Sequence, residues 1–160
     1  MLRTEEIKRC AAEIGFSACG VAPAGALPEA RAAEWRQWFA EGCQAGMDYL
    51  ERNMEKRLDP RLLVEGAKTV VSLAVNYYSG EVDRALAARP EDLHLARYAY
   101  GTDYHDVVKA MLRRLMASLG LEEGRDGRVF VDTAPIDEKY WAQRCGLGWR
   151  GRHTQIILPG

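Results

Sequence analysis

The chain has 160 residues, of which 48% are hydrophobic and 28% are charged, and its formal net charge is −1. These values exclude a disordered or fibrous chain and predict one globular domain with a core of its own. A net charge so near zero excludes strong sequence-independent binding to nucleic acid or to an anionic membrane. The sequence contains neither a membrane-spanning apolar run nor the apolar stretch of a signal peptide, so we expect a cytoplasmic protein without membrane contact.

The first half of the chain alternates helical and extended patterns. Apolar residues at three-to-four spacing predict helices over residues 4–14 and 28–41, and a short strand is expected over 18–21. Residues 47–56 again have helical spacing and run into Asp59-Pro60, where the proline disfavours helix geometry. The near-continuous apolar run over 69–75 predicts a central strand that is buried on both faces.

The middle of the chain contains its least and its most regular patterns. Residues 81–93 are polar and predict a surface helix or loop, and 95–100 alternate loosely as in a strand. Residues 104–119 form a long apolar stripe with basic residues off it, which predicts a helix that Gly120 ends. Strands interleaved with helices in one domain predict an α/β or α+β sheet covered by helices.

Chemistry is expected in the last 32 residues. A strand is predicted over 129–131, a helix opening at Pro135 and ending before Gly146, and a second strand over 155–158. Asp132 then lies where a strand stops and a helix begins. Two interpretations remain open for it: a cap of the following helix, or a general acid whose pKa is raised by burial or a neighbouring charge.

Three glycines, Gly146, Gly148 and Gly151, match the spacing of a dinucleotide-binding fingerprint. That fingerprint requires a strand before the glycines and a helix after them, so that the helix N-terminus receives the pyrophosphate. Here the order is helix, glycines, strand. We therefore do not expect a nicotinamide site.

Metal-ligating residues are few and scattered. Four cysteines, at positions 10, 19, 43 and 145, form no close pair, which predicts free thiols in or near the core and no metal site. Basic and aromatic residues concentrate over 141–153, either as a solvated surface with core aromatics or as a surface for phosphate or a stacked ring system. Arg57, before Asp59-Pro60, is either half of a surface ion pair or a bidentate donor.

Several segments together resemble one family, the N-terminal domain of epoxyqueuosine reductases. They are GMDYLER (46–52), KRLDPRLL (56–63), GAKTVVSLAVNYY (66–78), ARYAYGTDYH (96–105), VDTAPIDEK (131–139) and RCGLGWRGRHT (144–154). The resemblance implies an oxidoreductase that reduces epoxyqueuosine to queuosine at the wobble position of tRNA, with cobalamin and two [4Fe–4S] clusters. It also implies an α+β fold in which helices cover a mostly antiparallel or mixed sheet, as in nitroreductase-like corrinoid-binding domains.

The resemblance assigns roles to six residues. Asp132 matches the proton donor to the epoxide oxygen, Arg57 a corrinoid-contacting arginine, and Lys139 a basic position under the corrinoid ring. Gly151 and Ile156 match positions where backbone approaches the cofactor. His153 matches a further cofactor-contacting position, at which the family usually has asparagine.

The cysteine runs that would hold the [4Fe–4S] clusters are absent from this sequence. The chain also stops directly after a predicted strand. We therefore expect residues 1–160 to be one cobalamin- and substrate-binding domain, cut before a ferredoxin-like domain that receives electrons from a donor. Two alternatives stay open: a non-enzymatic cobalamin carrier or processing domain, and a stand-alone nucleic-acid-binding module.

Overall fold

The computed structural model describes residues 3–78, 80, 84, 95–99 and 101–159. Its helices are α1 (Thr4–Ile14), α2 (Glu29–Ala40), α3 (Met54–Leu58), α4 (Tyr104–Ser118) and α5 (Glu138–Arg144). Its strands are β1 (Ala18–Pro23), β2 (Thr69–Ala74), β3 (Trp149–Arg150) and β4 (Ile156–Ile157). Single 3₁₀ turns occupy Asp48–Leu50, Pro60–Leu62 and Arg97–Ala99. No helix among the described residues is long and apolar enough to cross a bilayer.

The described strands form two antiparallel ladders. β1 pairs with β2 along its whole length, from Ala18 opposite Ala74 to Pro23 opposite Thr69, and β3 pairs with β4 as a short hairpin. The predicted α+β class is thus confirmed. The ladders are separate and two-stranded, however, and β2 is half-buried after an exposed Thr69, so the expected burial on both of its faces is wrong.

Two clusters of buried side chains hold these elements together. The larger joins α2, α3, β1 and α5 through Ala32, Leu58, Ala22 and Trp141. The smaller joins α1 to α4 through residues that include Ala11 and Leu115. Burial of apolar surface in two clusters accounts for helices that pack on either side of the β1–β2 ladder.

The end of α5 rests directly on β1. A Cβ added at Gly20 would lie 2.2 Å from the carbonyl oxygen of Cys145 and 2.5 Å from Leu147 Cδ1. Only glycine permits this approach, because any side chain would overlap backbone atoms. Gly146 follows with φ +81°, the left-handed conformation expected just past the helix. The β1–β2 ladder therefore sets where α5 and the loop before it lie.

Several predicted elements differ from the structure. The helix over 4–14 is confirmed with the same bounds, and those over 28–41 and 104–119 are confirmed to within two residues at each end. The segment over 47–56 is broken into a 3₁₀ turn and α3. The strand predicted over 95–100 is wrong for its described residues, because Arg97–Ala99 form a 3₁₀ turn and Leu95 and Tyr98 are each 57% exposed rather than buried in a sheet. The polar region 81–93 lies outside the described residues except for Arg84.

The strand predicted over 129–131 is also wrong. These residues have no regular structure, and Val131 is buried individually rather than in a ladder. Helix α5 begins at Glu138, three residues later than the predicted start at Pro135. The consequence is a longer irregular loop around Asp132 than the sequence suggests.

Candidate functional site

A cavity of about 790 Å³ opens between α2, the 3₁₀ turn at Asp48–Leu50, the loop before α5 and the β3–β4 hairpin. We call it the Asp132 cavity. Its walls are Arg31, Glu34, Trp35, Trp38, Tyr49, Leu50, Asn53, Arg57, the continuous segment 132–139, Arg150 and Thr154. Its volume lies in the range of cavities that hold small molecules and cofactors.

Asp132 is held on the wall of this cavity from two sides. The hydroxyl of Tyr104, the first residue of α4, donates a hydrogen bond to Asp132 Oδ2. The backbone N–H of Asp132 donates to Glu138 Oε1 at 3.0 Å. Asp132 also has φ +54°, a conformation that non-glycine residues adopt rarely and that is concentrated at functional sites. The side chain is exposed toward the cavity.

The hydrogen bond has a clear effect on Tyr104. Donation to the Asp132 carboxylate raises the pKa of the Tyr104 phenol to about 12, because ionisation would forfeit the bond and place two negative charges together. Tyr104 therefore keeps its proton at neutral pH and acts as a fixed donor to Asp132.

Glu138 is the second carboxyl group at this point. Glu138 is an exposed residue, yet its carboxylate lies against the backbone of the Asp132 loop. This local burial is the main cause that raises the pKa of Glu138, and the negative charge of Asp132 raises it further. Burial and a neighbouring negative charge, the two conditions expected to raise a carboxyl pKa here, act on Glu138. The alternative in which Asp132 caps the following helix is wrong, because Asp137 accepts the N–H of Tyr140 at 3.1 Å and caps α5.

Asp137 anchors the same loop in the cavity wall. It is 5% exposed, and its Oδ2 accepts hydrogen bonds from Arg31 Nε at 2.8 Å and from Trp35 Nε1 at 2.9 Å. Arg31 Nη2 approaches the same oxygen at 2.7 Å. Because this buried carboxylate is bound by both Arg31 and Trp35, it fixes the start of α5 against α2.

Arg57 lines the cavity, and it is a buried residue, contrary to a surface ion pair with Asp59. Asp59 instead pairs with Arg61 at 2.6 Å. The Arg57 guanidinium lies 4.9 Å from the centre of the Trp35 ring, and its Nη2 donates a long bond of 3.5 Å to the carbonyl of Leu50. Its buried Nε has no hydrogen-bond partner within the described part of the chain. Burial lowers the pKa of Arg57, and the charge of Asp137 opposes that effect.

Lys139 lines the cavity together with Asp132 and Arg57. The other three residues predicted to bind the cofactor, Gly151, His153 and Ile156, lie in the adjoining β3–β4 hairpin. A Cβ at Gly151 would lie 2.5 Å from His153 Cε1, so this glycine makes room for the imidazole. Ile156 pairs with Arg150 in the β3–β4 ladder. The hairpin still borders the cavity, because Arg150 and Thr154 line it.

The basic and aromatic concentration of residues 141–153 divides between core and cavity. Trp141 is 3% exposed and belongs to the core, whereas Arg150 lines the cavity and approaches Glu34 at 3.9 Å. Cys43 is exposed, so the expectation of a thiol in or near the core is wrong for this residue. The described residues contain no group of three His, Cys, Asp or Glu side chains that could hold a metal ion.

Several residues of the site have no signal in the sequence. Arg31, Trp35 and Tyr49 reach the cavity from segments far from Asp132 in the chain, and no local pattern marks them. Tyr104 begins the predicted helix over 104–119, and Glu138 follows the predicted helix start at Pro135. Neither place in the sequence marks a partner of Asp132.

Comparisons with known proteins agree on one family. A family model described as epoxyqueuosine reductase QueG, DUF1730, matches residues 57–133. The chain is 44% identical to the epoxyqueuosine reductase of Leadbetterella byssophila over 155 residues, which cover 96% of this chain and 49% of that protein. It is 36% identical to the Pseudomonas aeruginosa epoxyqueuosine reductase over 155 residues, 96% of this chain and 42% of that protein.

Solved structures show the same relationship. The epoxyqueuosine reductase of Streptococcus thermophilus matches with a TM-score of 0.78 and 28% identity, over 98% of this chain and 42% of that one. An epoxyqueuosine reductase crystallised with an epoxyqueuosine-modified tRNA-Tyr stem loop matches with a TM-score of 0.76 and 25% identity, over 97% of this chain and 41% of that one. The resemblance predicted from the motifs is confirmed, and the chain spans about half the length of the curated relatives it matches.

Proposed function

We propose, from its resemblance to the epoxyqueuosine reductases, that this chain is the substrate- and cofactor-binding part of an enzyme that reduces epoxyqueuosine to queuosine at the wobble position of tRNA. The observation that carries the proposal is Asp132, a carboxyl group on a cavity wall with its side chain bound by Tyr104 and its backbone by Glu138. A related enzyme has been crystallised with an epoxyqueuosine-modified stem loop, which supports tRNA as the substrate here.

The reaction requires acid catalysis at one oxygen. Conversion of an epoxide to an alkene and water consumes two electrons and two protons, and both protons end on the departing oxygen. An acid placed beside that oxygen neutralises the negative charge that develops as the C–O bonds break. Asp132, when protonated, is suited to this role because its carboxyl group faces the cavity while its backbone is fixed.

Cobalamin is the cofactor that the resemblance implies, and the residues of the cavity fit it. The cavity is open and partly apolar, and Arg57 presents a buried, unpartnered Nε in its wall among the described residues. Such a donor suits an amide or phosphate oxygen of a large ligand. Bound there, cobalamin would supply the two electrons of the reduction. Arg57 and Lys139 would hold it, and contacts from Gly151, His153 and Ile156 stay predictions.

Electron delivery is proposed to come from a ferredoxin-like domain with two [4Fe–4S] clusters that lies outside residues 1–160. The sequence itself contains no C-x-x-C pair to ligate a cluster. We therefore expect this chain to bind cofactor and substrate but to require a chemical reductant for turnover. The near-neutral charge also implies that much of the tRNA affinity comes from elsewhere in the full protein. A cytoplasmic location belongs to the same proposal.

A single-turnover reaction tests the function. An anticodon stem-loop containing epoxyqueuosine is mixed with the chain and chemically reduced cobalamin, and loss of one oxygen atom is followed by mass spectrometry of the nucleosides. We expect Asp132→Asn to slow the reaction by about 100-fold or more. Asp106→Asn is the matched control, because Asp106 is an exposed carboxylate on α4 outside the cavity. Cobalamin binding without turnover in the wild-type chain would instead favour a carrier domain.

A further inference from the structure

Two protons must reach one oxygen in the proposed reaction, but Asp132 carries at most one. This inference rests on the proposed function and asks where the second proton comes from. Tyr104 and Glu138 are the titratable groups in direct contact with Asp132 among the described residues. They differ in their readiness to release a proton.

Tyr104 is a poor source. Its pKa of about 12 keeps the proton on the phenol, and its O–H already points at Asp132 Oδ2 as a fixed hydrogen bond. Transfer of that proton would leave a phenolate at neutral pH, several pH units below the pKa of the group. The geometry and the proton affinity of Tyr104 therefore assign it to orientation of the Asp132 side chain.

Glu138, unlike Tyr104, is placed to supply a proton. Its Oε1 accepts the backbone N–H of Asp132 at 3.0 Å, which brings its carboxyl group beside the loop, and both residues line the cavity. The two carboxyl groups also lie close enough for a hydrogen bond between them when one is protonated. Burial and the repulsion between two adjacent carboxylates both favour a proton on Glu138, and this proton is additional to the one that Asp132 donates to the substrate.

The cations of the cavity do not neutralise Glu138. Arg31 pairs with Asp137 and Glu34, and Arg150 approaches Glu34. Arg57 stacks on Trp35, and no ion pair involving Lys139 or Glu138 occurs among the described residues. The charge that acts on the Glu138 carboxyl group is that of Asp132, and it favours the protonated form.

We propose that Glu138 holds a proton beside Asp132 and passes it to the Asp132 carboxylate after Asp132 has protonated the substrate oxygen. In this step the O–H bond of Glu138 breaks, an O–H bond forms on Asp132, and the negative charge moves to Glu138; no electrons are transferred. Glu138 then takes a proton from water, to which the exposed residue has access. Because it acts through Asp132, Glu138 is a positioning residue that also resupplies the acid.

Three substitutions separate the two parts of this role. Glu138→Gln keeps an acceptor oxygen for the Asp132 N–H but removes the exchangeable carboxyl proton. Glu138→Ala removes both, and Glu138→Asp keeps the carboxyl group with a shorter reach. Glu65→Gln is the control, since Glu65 is exposed in a turn outside the cavity.

The first measurement needs no cofactor. Side-chain carboxyl NMR of the chain, followed against pH, should show the pKa of Glu138 raised above its ordinary value by burial and by the charge of Asp132. Asp132→Asn removes that charge and should lower the pKa of Glu138, whereas Glu65→Gln should leave it unchanged. A Glu138 titration that is identical in the wild-type chain and in Asp132→Asn would overturn the proposal.

The second measurement is the pH dependence of the single-turnover rate. We expect Glu138→Gln to slow the reaction about 10-fold at neutral pH and to move the alkaline loss of activity to lower pH, with Glu138→Asp restoring part of both. A purely structural role predicts wild-type behaviour for Glu138→Gln and a loss only for Glu138→Ala, and that result would refute proton resupply. A raised Glu138 pKa in a wild-type chain that never turns over would contradict the proposed function instead, while supporting the carboxyl pair.

Discussion

The carboxylate of Asp137 lies 2.8 Å from Nε and 2.7 Å from Nη2 of Arg31, and this pair joins the N-cap of α5 to α2 in the wall of the Asp132 cavity. The two residues are 106 positions apart in the chain. Both residues line the cavity, and their contact holds one end of the loop that carries Asp132. The stability of the domain and the geometry of the site therefore depend on the same ion pair.

Removal of the Asp137 side chain should destabilise the fold. Asp137→Ala leaves Arg31 and the Trp35 indole N–H without their shared acceptor and removes the cap of α5. We expect the free energy of unfolding to fall by about 3 kcal/mol, measured by urea denaturation. Glu29→Ala, which breaks the exposed pair with Arg36, should cost less than about 1 kcal/mol. Similar losses in the two variants would contradict a buried anchor.

The contact between β1 and the end of α5 makes a second prediction. Gly20→Ala would place its Cβ 2.2 Å from the Cys145 carbonyl oxygen, and backbone cannot yield as a side-chain tip does. We expect a loss of about 3 kcal/mol in the free energy of unfolding, at the upper end of overpacking costs. Gly46→Ala meets no atom within 4 Å and serves as the control. Equal thermal stability of the two variants would show that β1 and α5 are not in contact.

The Tyr104–Asp132 hydrogen bond predicts a pH effect. Tyrosine-specific NMR of the chain should show one phenol with a pKa of about 12, which Tyr104→Phe removes and Asp132→Asn returns toward the ordinary value near 10. Because the folded pKa exceeds the unfolded one, the bond stabilises the fold fully below about pH 10, and this contribution is lost as the pH rises toward about 12. A Tyr104 resonance that titrates near 10 in the wild-type chain would rule the bond out in solution.

Cofactor binding supplies a further prediction, which rests on the proposed function. Arg57→Lys keeps the positive charge but removes the Nε donor and the planar stacking on Trp35. We expect the affinity for cobalamin, measured by equilibrium dialysis, to fall about 10-fold or more. Arg52→Lys is the control, because Arg52 is exposed and outside the cavity wall. Unchanged binding in Arg57→Lys would remove this arginine from the cofactor site.

The helices were more predictable than the strands. The 3.6-residue spacing of apolar side chains and the terminating Gly15 set the bounds of α1 correctly, since both are local properties of the chain. The predicted strand over 129–131 failed because an apolar triplet becomes a strand only when another segment pairs with it. Pairing is a tertiary event that a local pattern does not encode.

The candidate site was likewise predicted only in part, because contacts between distant segments are not encoded in local patterns. Asp132, Arg57 and Lys139 were identified through motifs that resemble a known family, and all three line one cavity. The motifs contain no information about which residues face Asp132. Tyr104 and Glu138 became visible as its partners only when α4 and α5 were packed beside the loop.

What the sequence determined by itself is the domain class, the long helices and the resemblance to one family, because composition, periodicity and motifs are properties of the linear chain. Only the tertiary structure decided that Asp137 rather than Asp132 caps α5, that Arg57 is buried against Trp35, and that burial and a neighbouring charge raise the pKa of Glu138. Burial, charge proximity and hydrogen-bond geometry are set by residues distant in the chain. They exist only once the chain has folded.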